Sequence, residues 1–513
     1  MNYKDLSLKL SPDYSEYELR NIIGKKINFN DFSYEILKKS LDARQKGNIY
    51  WLLNIRVFSN KLKGDFFIPV KEFSVPYKKR KERVVVIGSG PAGMFSSLFL
   101  QKAGFAVTIL ERGAEVDSRG ARISKFEQTG IFDSSANYAF GEGGAGTFSD
   151  GKLTSRSKRI SRERAFIMDA YIRAGAPAEI KYLAHPHLGS DNLKVIVKNL
   201  RNEFLKDGGK IEFEHLAADL NITNSKVKSV KTVDKEYPSD YLIVASGHSA
   251  YETYRLLMRH GVKFRVKNYA LGARVEHRQE LINNAQWGVS SLDGVKAAEY
   301  RLTSNIDGLL PVYTFCMCPG GTIVPATAYK DTNIVNGMSN YARNGKFANS
   351  ALVASVNLSN LLTREVTAEE ALTWTHSLER KFYNEKYSAP ACSIKEFIAR
   401  SDSLSVPSSL DKSYPLDLNP APLWDLFPEN ISNSLIGGLK EFSRKLKGFD
   451  EGTIMGLESK TSAPIQVMRD PDGLCHGFPN LYMVGEGSGY AGGIISSAVD
   501  GIKAALEIIE RCF

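Results

Sequence analysis

Two hydrophobic periods alternate along this chain, and they divide it. Residues 6–10 alternate apolar and polar as a half-buried strand does, and residues 17–27 carry apolar side chains at helical spacing. Residues 32–43 and 49–58 alternate again, joined across Gln45-Lys46-Gly47-Asn48, which predicts a hairpin. The order βαββ predicts a small ferredoxin-like α+β unit over residues 1–75, followed by a charged linker at 76–83. Val84-Val85-Val86-Ile87 is apolar throughout, as a strand covered on both faces must be. A helical stripe follows (Phe95, Leu98, Phe99, Leu100) with Gly104 as its stop, and residues 106–110 form a second buried strand. Beyond Gly261 the rhythm changes to short β-like runs at 270–278, 313–318, 322–328 and 333–339, predicting an antiparallel sheet. Residues 367–387 read as helix. Residues 401–434 are rich in Pro and Ser around Leu423, Trp424 and Phe427, and read as irregular surface packing rather than a lid. A last apolar stripe (Ile494, Ile495, Ala498, Val499, Ile502, Ala505, Leu506, Ile509) predicts a closing helix.

Glycines placed at the joints of these elements add chemistry. Between the strand ending at Ile87 and its helix lie Gly88, Ser89, Gly90, Pro91, Ala92 and Gly93. Strand, glycine turn and helix in register form a dinucleotide fingerprint, with the helix N-terminus facing a diphosphate. Pro91 suits the first helical turn, where its missing N–H has no partner to lose. Glu111 ends the next strand, 23 positions after Gly88, where its carboxylate can accept ribose hydroxyls and repel a 2′-phosphate; Arg112 adjoins it. This favours FAD or NAD over NADP.

Almost four hundred residues later another apolar run reaches Gly485, Glu486, Gly487, Ser488, Gly489, Tyr490, Ala491, Gly492, Gly493 and Ile494. A chain that opens and closes one nucleotide site from opposite ends encloses a large, retained dinucleotide, and FAD fits. Gly143, Gly144, Ala145, Gly146 and Thr147, together with Gly247, read as bare backbone against a flat ring. Residues 141–146 also match the fingerprint spacing, but no apolar strand precedes them, so a second dinucleotide domain is not expected. Glu486 is positioned for a ribityl chain. The expected fold is therefore α/β: a discontinuous Rossmann-type FAD-binding domain (84–265 and 460–513), an inserted antiparallel-sheet substrate domain (266–459), and the N-terminal ferredoxin-like domain.

Candidates for proton and electron chemistry are few. Cys316 and Cys318 share one face of an expected strand, either as a thiol pair beside the flavin or as two small packed residues. Two sulfurs with no second pair do not make a zinc site, and no metal is expected. His185 and His187 flank Pro186 in a loop, where they suit anion binding, proton donation or structure. His248 suits cofactor packing, and Tyr490 can offer a hydroxyl to ring or substrate.

Taken together, these strings resemble the bacterial FAD-dependent dehydrogenases of largely unassigned substrate and, more distantly, the two-dinucleotide-binding-domain flavoproteins. The resemblance spans nearly the whole chain: residues 38–44, the Gly88 fingerprint, 143–153, 185–187, 247–250, Phe315-Cys316-Met317-Cys318-Pro319-Gly320-Gly321, 336–340 and 485–494. It implies tight FAD binding and an oxidoreductase role, without a substrate. One departure is Lys460, where the family tends to carry an arginine; lysine lacks the bidentate fork.

Composition narrows the setting. Five cysteines in 513 residues suit a reducing compartment, and the first residues lack the apolar core of a signal peptide, so a cytoplasmic location is expected. No apolar run is long enough to span a membrane. The net charge of +10 is concentrated at residues 78–83 and at Arg156, Lys158, Arg159, Arg162 and Arg164, read first as solvated. The expected function is hydride transfer at flavin N5 with a small substrate, for which the basic residues suggest an anion. The electron partner is open among NAD(P)H, a protein carrier and a quinone, because no second nucleotide domain remains. Alternatives from other classes are an FAD-dependent RNA-modifying enzyme (nucleic acid being unlikely without aromatic interleaving), an electron relay without its own substrate, and an isoprenoid-type ene reductase walled by residues 423–427.

Overall fold

The computed structural model describes residues 1–63, 66–68, 73–155, 157–408 and 411–512. Strand β1 (Tyr3–Leu10), helix α1 (Glu16–Ile27), β2 (Ser33–Asp42) and β3 (Tyr50–Phe58) form a three-stranded antiparallel sheet in the order β1-β3-β2. Helix α1 starts at a complete capping box, Ser15 with Glu18, and buries Leu19 and Ile23 against Leu53, Ile55 and Val57. The βαββ order is present, but among the described residues the unit has no second crossover helix and fourth strand, which leaves it four of the six elements of a ferredoxin-like βαββαβ order. It docks through Lys39, whose N–H donates to the Tyr182 carbonyl while its own carbonyl accepts from Ala184.

Residues 78–80 are not a free linker. Lys78 and Arg80 donate backbone N–H groups to Ala103 and Gly104, and the buried Arg80 guanidinium lies over the Phe105 ring. Strand β4 (Arg83–Ile87) then enters helix α2 (Pro91–Lys102), β5 (Ala106–Leu110) and α3 (Val116–Thr129). Helices α4 (Ser161–Arg173) and α5 (Gly189–Lys206) precede β6 (Lys210–Glu212). A small antiparallel meander, β7 (Asp219–Thr223), β8 (Lys226–Lys231) and β9 (Glu236–Pro238), leads to β10 (Tyr241–Val244) and α6 (Tyr251–Arg259).

The inserted region comprises β11 (Phe264–Val266), β12 (Tyr269–Arg278), α7 (Gln279–Trp287), β13 (Thr303–Ser304), β14 (Val312–Cys318), β15 (Gly321–Pro325), β16 (Val335–Ser339), β17 (Phe347–Val356), α8 (Leu358–Leu361), α9 (Ala368–Lys381), β18 (Ala389–Ser393), α10 (Ile394–Ala399), β19 (Leu418–Pro420), α11 (Leu423–Leu426), α12 (Glu429–Lys445) and β20 (Thr453–Glu458). Its seven-stranded sheet runs β13-β14-β17-β12-β20-β18-β19, antiparallel except for the parallel β18–β19 pair. The expected run at 322–328 is the shorter β15, which with β16 forms a separate hairpin. The stretch 401–434 is less irregular than its Pro and Ser content predicts, for α12 begins inside it. Leu423 and Phe427 are core residues, Phe427 against Phe382 and Trp424 against Phe397, so they do not wall a substrate tunnel.

The chain returns through β21 (Ile465–Val467), which pairs with β11, and β22 (Leu481–Met483), then ends in α13 (Ile494–Arg511). Strand β22 completes a fully parallel sheet in the order β22-β10-β4-β5-β6. From β4 the chain goes one way to β5 and later returns to β10 on the other side. That reversal opens a crevice at the carboxyl ends of the strands, where α/β sheets bind ligands. No helix among the described residues is long and apolar enough to cross a membrane.

Candidate functional site

The crevice is floored by backbone. Gly88 adopts φ +101°, and a Cβ there would lie 2.5 Å from the Ala245 carbonyl oxygen, so only glycine lets the β4 and β10 loops meet. At Gly93 a Cβ would fall 1.9 Å from the Gly88 carbonyl. Gly90 differs: a Cβ there would meet only Gly144 at 3.7 Å, and at Gly247, Gly492 and Gly493 it would meet nothing within 4 Å. Those four glycines border open space, while a Cβ on Gly146 would touch Ile494 at 3.4 Å.

Two helix N-termini end at this space without side-chain caps, α2 at Gly90 and the eighteen-residue α13 at Gly493. Their uncapped N–H groups and dipoles attract negative charge. Ser246 Oγ and Thr461 Oγ1 are buried with no hydrogen-bond partner among the described residues. Bare backbone, two positive helix ends and orphaned hydroxyls fit a long ligand with a diphosphate and a flat ring, which is what FAD is.

Glu111 ties the loops together. It is buried, one carboxylate oxygen accepting from Ser89 N–H at 2.9 Å and Ser89 Oγ at 2.8 Å, the other from Gly113 N–H at 2.9 Å and Gly141 N–H at 3.1 Å. A carboxylate has about four acceptor positions, and all are taken. Arg112 pairs with Glu252 and lies 3.7 Å over the Phe140 ring centroid. Arg119, which the periodicity does not single out, is fully buried. Its guanidinium donates to the carbonyls of Asn137, Tyr138, Glu142 and Gly144, holding the 137–144 loop over the crevice. Burial pushes its pKa down to about 10, still high enough to keep it charged at neutral pH.

At the far end, Gly485 N–H donates to Asp500 at 2.8 Å, and Asp500 pairs with Arg469 at 2.9 Å. Glu486 accepts from Gly493 N–H and pairs with His248 Nδ1 at 3.0 Å. Burial acts to raise the Glu486 pKa, but His248 outweighs it and holds the carboxyl below its ordinary value. His248 Nε2 lies 2.8 Å from the Lys460 carbonyl. Lys460 itself pairs with buried Glu379 at 2.8 Å and contacts the Tyr251 hydroxyl, so its charge is already matched. Tyr490 is half exposed, its hydroxyl donating to the Val467 carbonyl at 3.2 Å and its ring under Arg469.

Beyond the 143–147 loop, the chain reaches the inserted sheet through Asp150 and Lys152. Asp150 is wholly buried. It accepts from Arg343 at 2.6 and 3.0 Å, pairs with Lys152 at 2.7 Å and accepts the Ser339 hydroxyl. Burial opposes its ionisation, but Lys152 and Arg343 hold its pKa far below the usual carboxylate range. Lys152 also donates to the Met317 carbonyl at 2.5 Å, bridging the FAD-side loop to β14 between the two cysteines. Arg274, fully buried, pairs with Glu458 at 2.7 Å and donates to Asn336, Asn349 and the Cys316 carbonyl. Burial raises Glu458 to about 7 against the pull of Arg274.

Of the roles left open for the two loop histidines, the structural one describes His187. His187 is buried, its Nε2 3.0 Å from the Tyr341 carbonyl and its ring against Tyr341. Burial, then Arg343, lowers it to about 4, so at neutral pH it is an uncharged structural group rather than an acid. His185 is exposed beside Glu299 at 3.4 Å. The structure thus brings Cys316 and Cys318 to the seam facing the glycine loops and leaves His187 and Tyr490 bonded to backbone. Nothing in the sequence spacing singles out the charged groups around the thiols, Asp150, Lys152, Arg274, Arg343 and Glu458. Of the basic cluster, Arg156 lies outside the described residues and Arg162 stacks on Phe73 at 4.4 Å.

Residues 82–281 match the pyridine nucleotide-disulphide oxidoreductase family, residues 268–461 match the family described as FAD-dependent protein, C-terminal domain-like, and residues 2–58 match a domain of unknown function. An uncharacterized protein of Clostridium beijerinckii is 36% identical over 527 aligned residues, covering 99% of this chain and 98% of that one. Among solved structures, glycine oxidase from Bacillus cereus aligns over 84% of this chain and 96% of its own at 12% identity and a TM-score of 0.33. L-proline dehydrogenase from P. horikoshii aligns over 85% and 95% at 11% identity and 0.33. The chain belongs with its clostridial relative to a family of FAD-dependent oxidoreductases, and its cofactor is FAD.

Proposed function

We propose that the protein transfers hydride between FAD and a small substrate held in the seam between the 143–152 loop and β14. The carrying observation is the convergence of two uncapped helix N-termini on glycine-bared space that the Lys152 bridge joins to the inserted sheet. FAD, when bound, supplies hydride acceptance and donation at N5. Gly88, Ser89, Gly90, Ala92 and Gly93 hold the diphosphate. A ribose hydroxyl reaches Glu111 by replacing Ser89 Oγ, the one side-chain donor among its four. Gly143, Gly144, Ala145, Gly146, Thr147 and Gly247 line the ring, and the Ile494 N–H places the positive end of α13 at its edge, where negative charge grows on reduction, while the Gly493 N–H stays with Glu486. Glu486, kept ionised by His248, takes the ribityl side.

On the substrate side the basic groups are mostly matched: Lys152 and Arg343 share Asp150, and Arg274 holds Glu458. Lys152, partly exposed, is the cation through which an anionic substrate would be oriented. Cytoplasmic residence and an exchange partner drawn from NAD(P)H, a protein carrier or a quinone complete this reading.

The test is a visible spectrum of the purified protein, followed by anaerobic NADH, NADPH or dithionite. A flavin band bleached by a nicotinamide makes this a pyridine-nucleotide-driven reductase. Bleaching by dithionite alone makes it a carrier- or substrate-fed dehydrogenase. A protein that neither retains nor rebinds FAD defeats the proposal.

A further inference from the structure

Strand β14 breaks register with β17 between Phe315 and Cys318, and within that break Cys316 adopts φ +45°. A residue with a Cβ rarely takes this left-handed conformation, and such residues gather at functional sites. In a regular strand, residues two apart share a face but stand about 6.6 Å apart, at the far end of what a disulfide spans. Here the break turns the Cys316 carbonyl inward, where it accepts from Arg274 Nη2 at 2.7 Å and from Cys318 Sγ at 3.3 Å. The Cys318 thiol thus reaches back across the break to the backbone of Cys316. Cys316 is partly exposed and Cys318 is buried. Arg274 also approaches Cys318 Sγ at 3.7 Å, and Lys152 holds the carbonyl of the residue between them.

We propose that Cys316 and Cys318 are a dithiol–disulfide redox pair on the substrate side of the site, exchanging electrons with a disulfide-bearing substrate. Cys316, as thiolate, attacks one sulfur of R–S–S–R; a Cys316–S–S–R bond forms and RS⁻ leaves. Cys318 then gives up its proton and attacks Cys316 Sγ, forming the internal bridge and releasing the second RS⁻, so that two thiols are oxidised and one disulfide becomes two thiols. With FAD as the other partner, opening the bridge consumes two electrons and two protons. That link rests on the proposed function above, whereas the thiol chemistry stands on the β14 geometry alone. The electrostatics suit this division of labour. The neighbouring Cys318, then Arg274 and Lys152, hold the Cys316 thiol below the ordinary thiol range against the cost of burial. The neighbouring Cys316 and burial push Cys318 well up, so it waits protonated.

The experiment uses the full chain as purified, reduced, desalted and treated anaerobically with glutathione disulfide at pH 7. The flavin spectrum is recorded, and free thiols are then trapped with iodoacetamide in denaturant and mapped by peptide mass spectrometry. Cys316 and Cys318 are expected to escape alkylation together, joined in one peptide. C318S should stop at a glutathione adduct on Cys316, and C316S should leave Cys318 alkylatable. Cys316 alkylation without oxidant should rise with pH to a midpoint below that of an ordinary thiol, because the thiolate is the reacting form. Both cysteines remaining alkylatable in the wild type, or an adduct on Cys316 that never resolves to a bridge, would overturn the pair. A bridge forming in protein that holds no flavin would uphold the pair and refute the function proposed above.

Discussion

Glu111 shows how much one side chain decides at this site. Its two oxygens collect donors from Ser89, Gly113 and Gly141, three loops that adjoin the crevice. Glu111→Gln would turn an NH2 group toward N–H donors that want an acceptor, leaving about two buried donors unmatched at roughly 1–3 kcal/mol each. We therefore expect E111Q to weaken FAD retention about tenfold or more, with a lower melting temperature, measured by flavin release and circular dichroism. Wild-type retention would show that Glu111 is incidental. The sequence announces Glu111 through its distance from the glycines, but not its three backbone partners. Arg119 is less legible still. An arginine in a polar helix reads as solvated, and the four carbonyls that bury it exist only once residues 137–144 have folded over it.

The elements that hold the cofactor read well because their patterns are local. The largely apolar strands β4, β5 and β10 and the stripe of α13 are each visible within a dozen residues. Helix α12 is not, although Ile431, Leu435, Leu439 and Phe442 are buried along one face. Its Pro-rich approach reads as loop; past it, the pair Gly437-Gly438 allows close contact, for a Cβ on Gly438 would lie 2.6 Å from a Val312 methyl. Close approach also sets the next prediction. Helix α13 crosses α2 at Gly501, where a Cβ would fall 2.1 Å from the Ala92 carbonyl oxygen, one residue before Gly93 of the fingerprint. In a free helix Gly→Ala stabilises by about 1 kcal/mol. Against a backbone oxygen that cannot move alone, Gly501→Ala should instead destabilise by about 1–3 kcal/mol through overpacking. It should also loosen FAD, because the α2 N-terminus is displaced. Urea midpoint and flavin occupancy measure both, and a raised midpoint would mean that the helices separate freely.

At the scale of the molecule, the FAD-binding sheet and the inserted sheet are joined by charges that the sequence scatters. Asp150 and Lys152 leave the glycine loop, Arg343 comes from the turn after β16, and nothing in their spacing of nearly two hundred residues predicts a meeting. Burial makes the junction stringent. Asp150 is the shared anion between two cations, so Asp150→Asn leaves Lys152 and Arg343 facing each other with their charge uncompensated. Removing one partner from a buried ion pair costs about 3–5 kcal/mol, whereas Glu299, at 3.6–4.0 Å from both cations and partly exposed, offers only weak replacement. The cost falls on the seam rather than on either core, which sets what should be observed. In the wild type, urea is expected to release flavin and unfold secondary structure in one transition. In D150N, flavin fluorescence should rise at lower urea than the loss of circular dichroism, as the inserted sheet parts from the glycine loop before either unfolds. Neutralising the cation as well, in D150N with Arg343→Met, should restore part of the coincidence, since an ion pair replaced whole costs far less than one broken. Coincident transitions in D150N would mean that the backbone contacts of the glycine loop, and not this charge cluster, bind the two sheets into one cooperative unit.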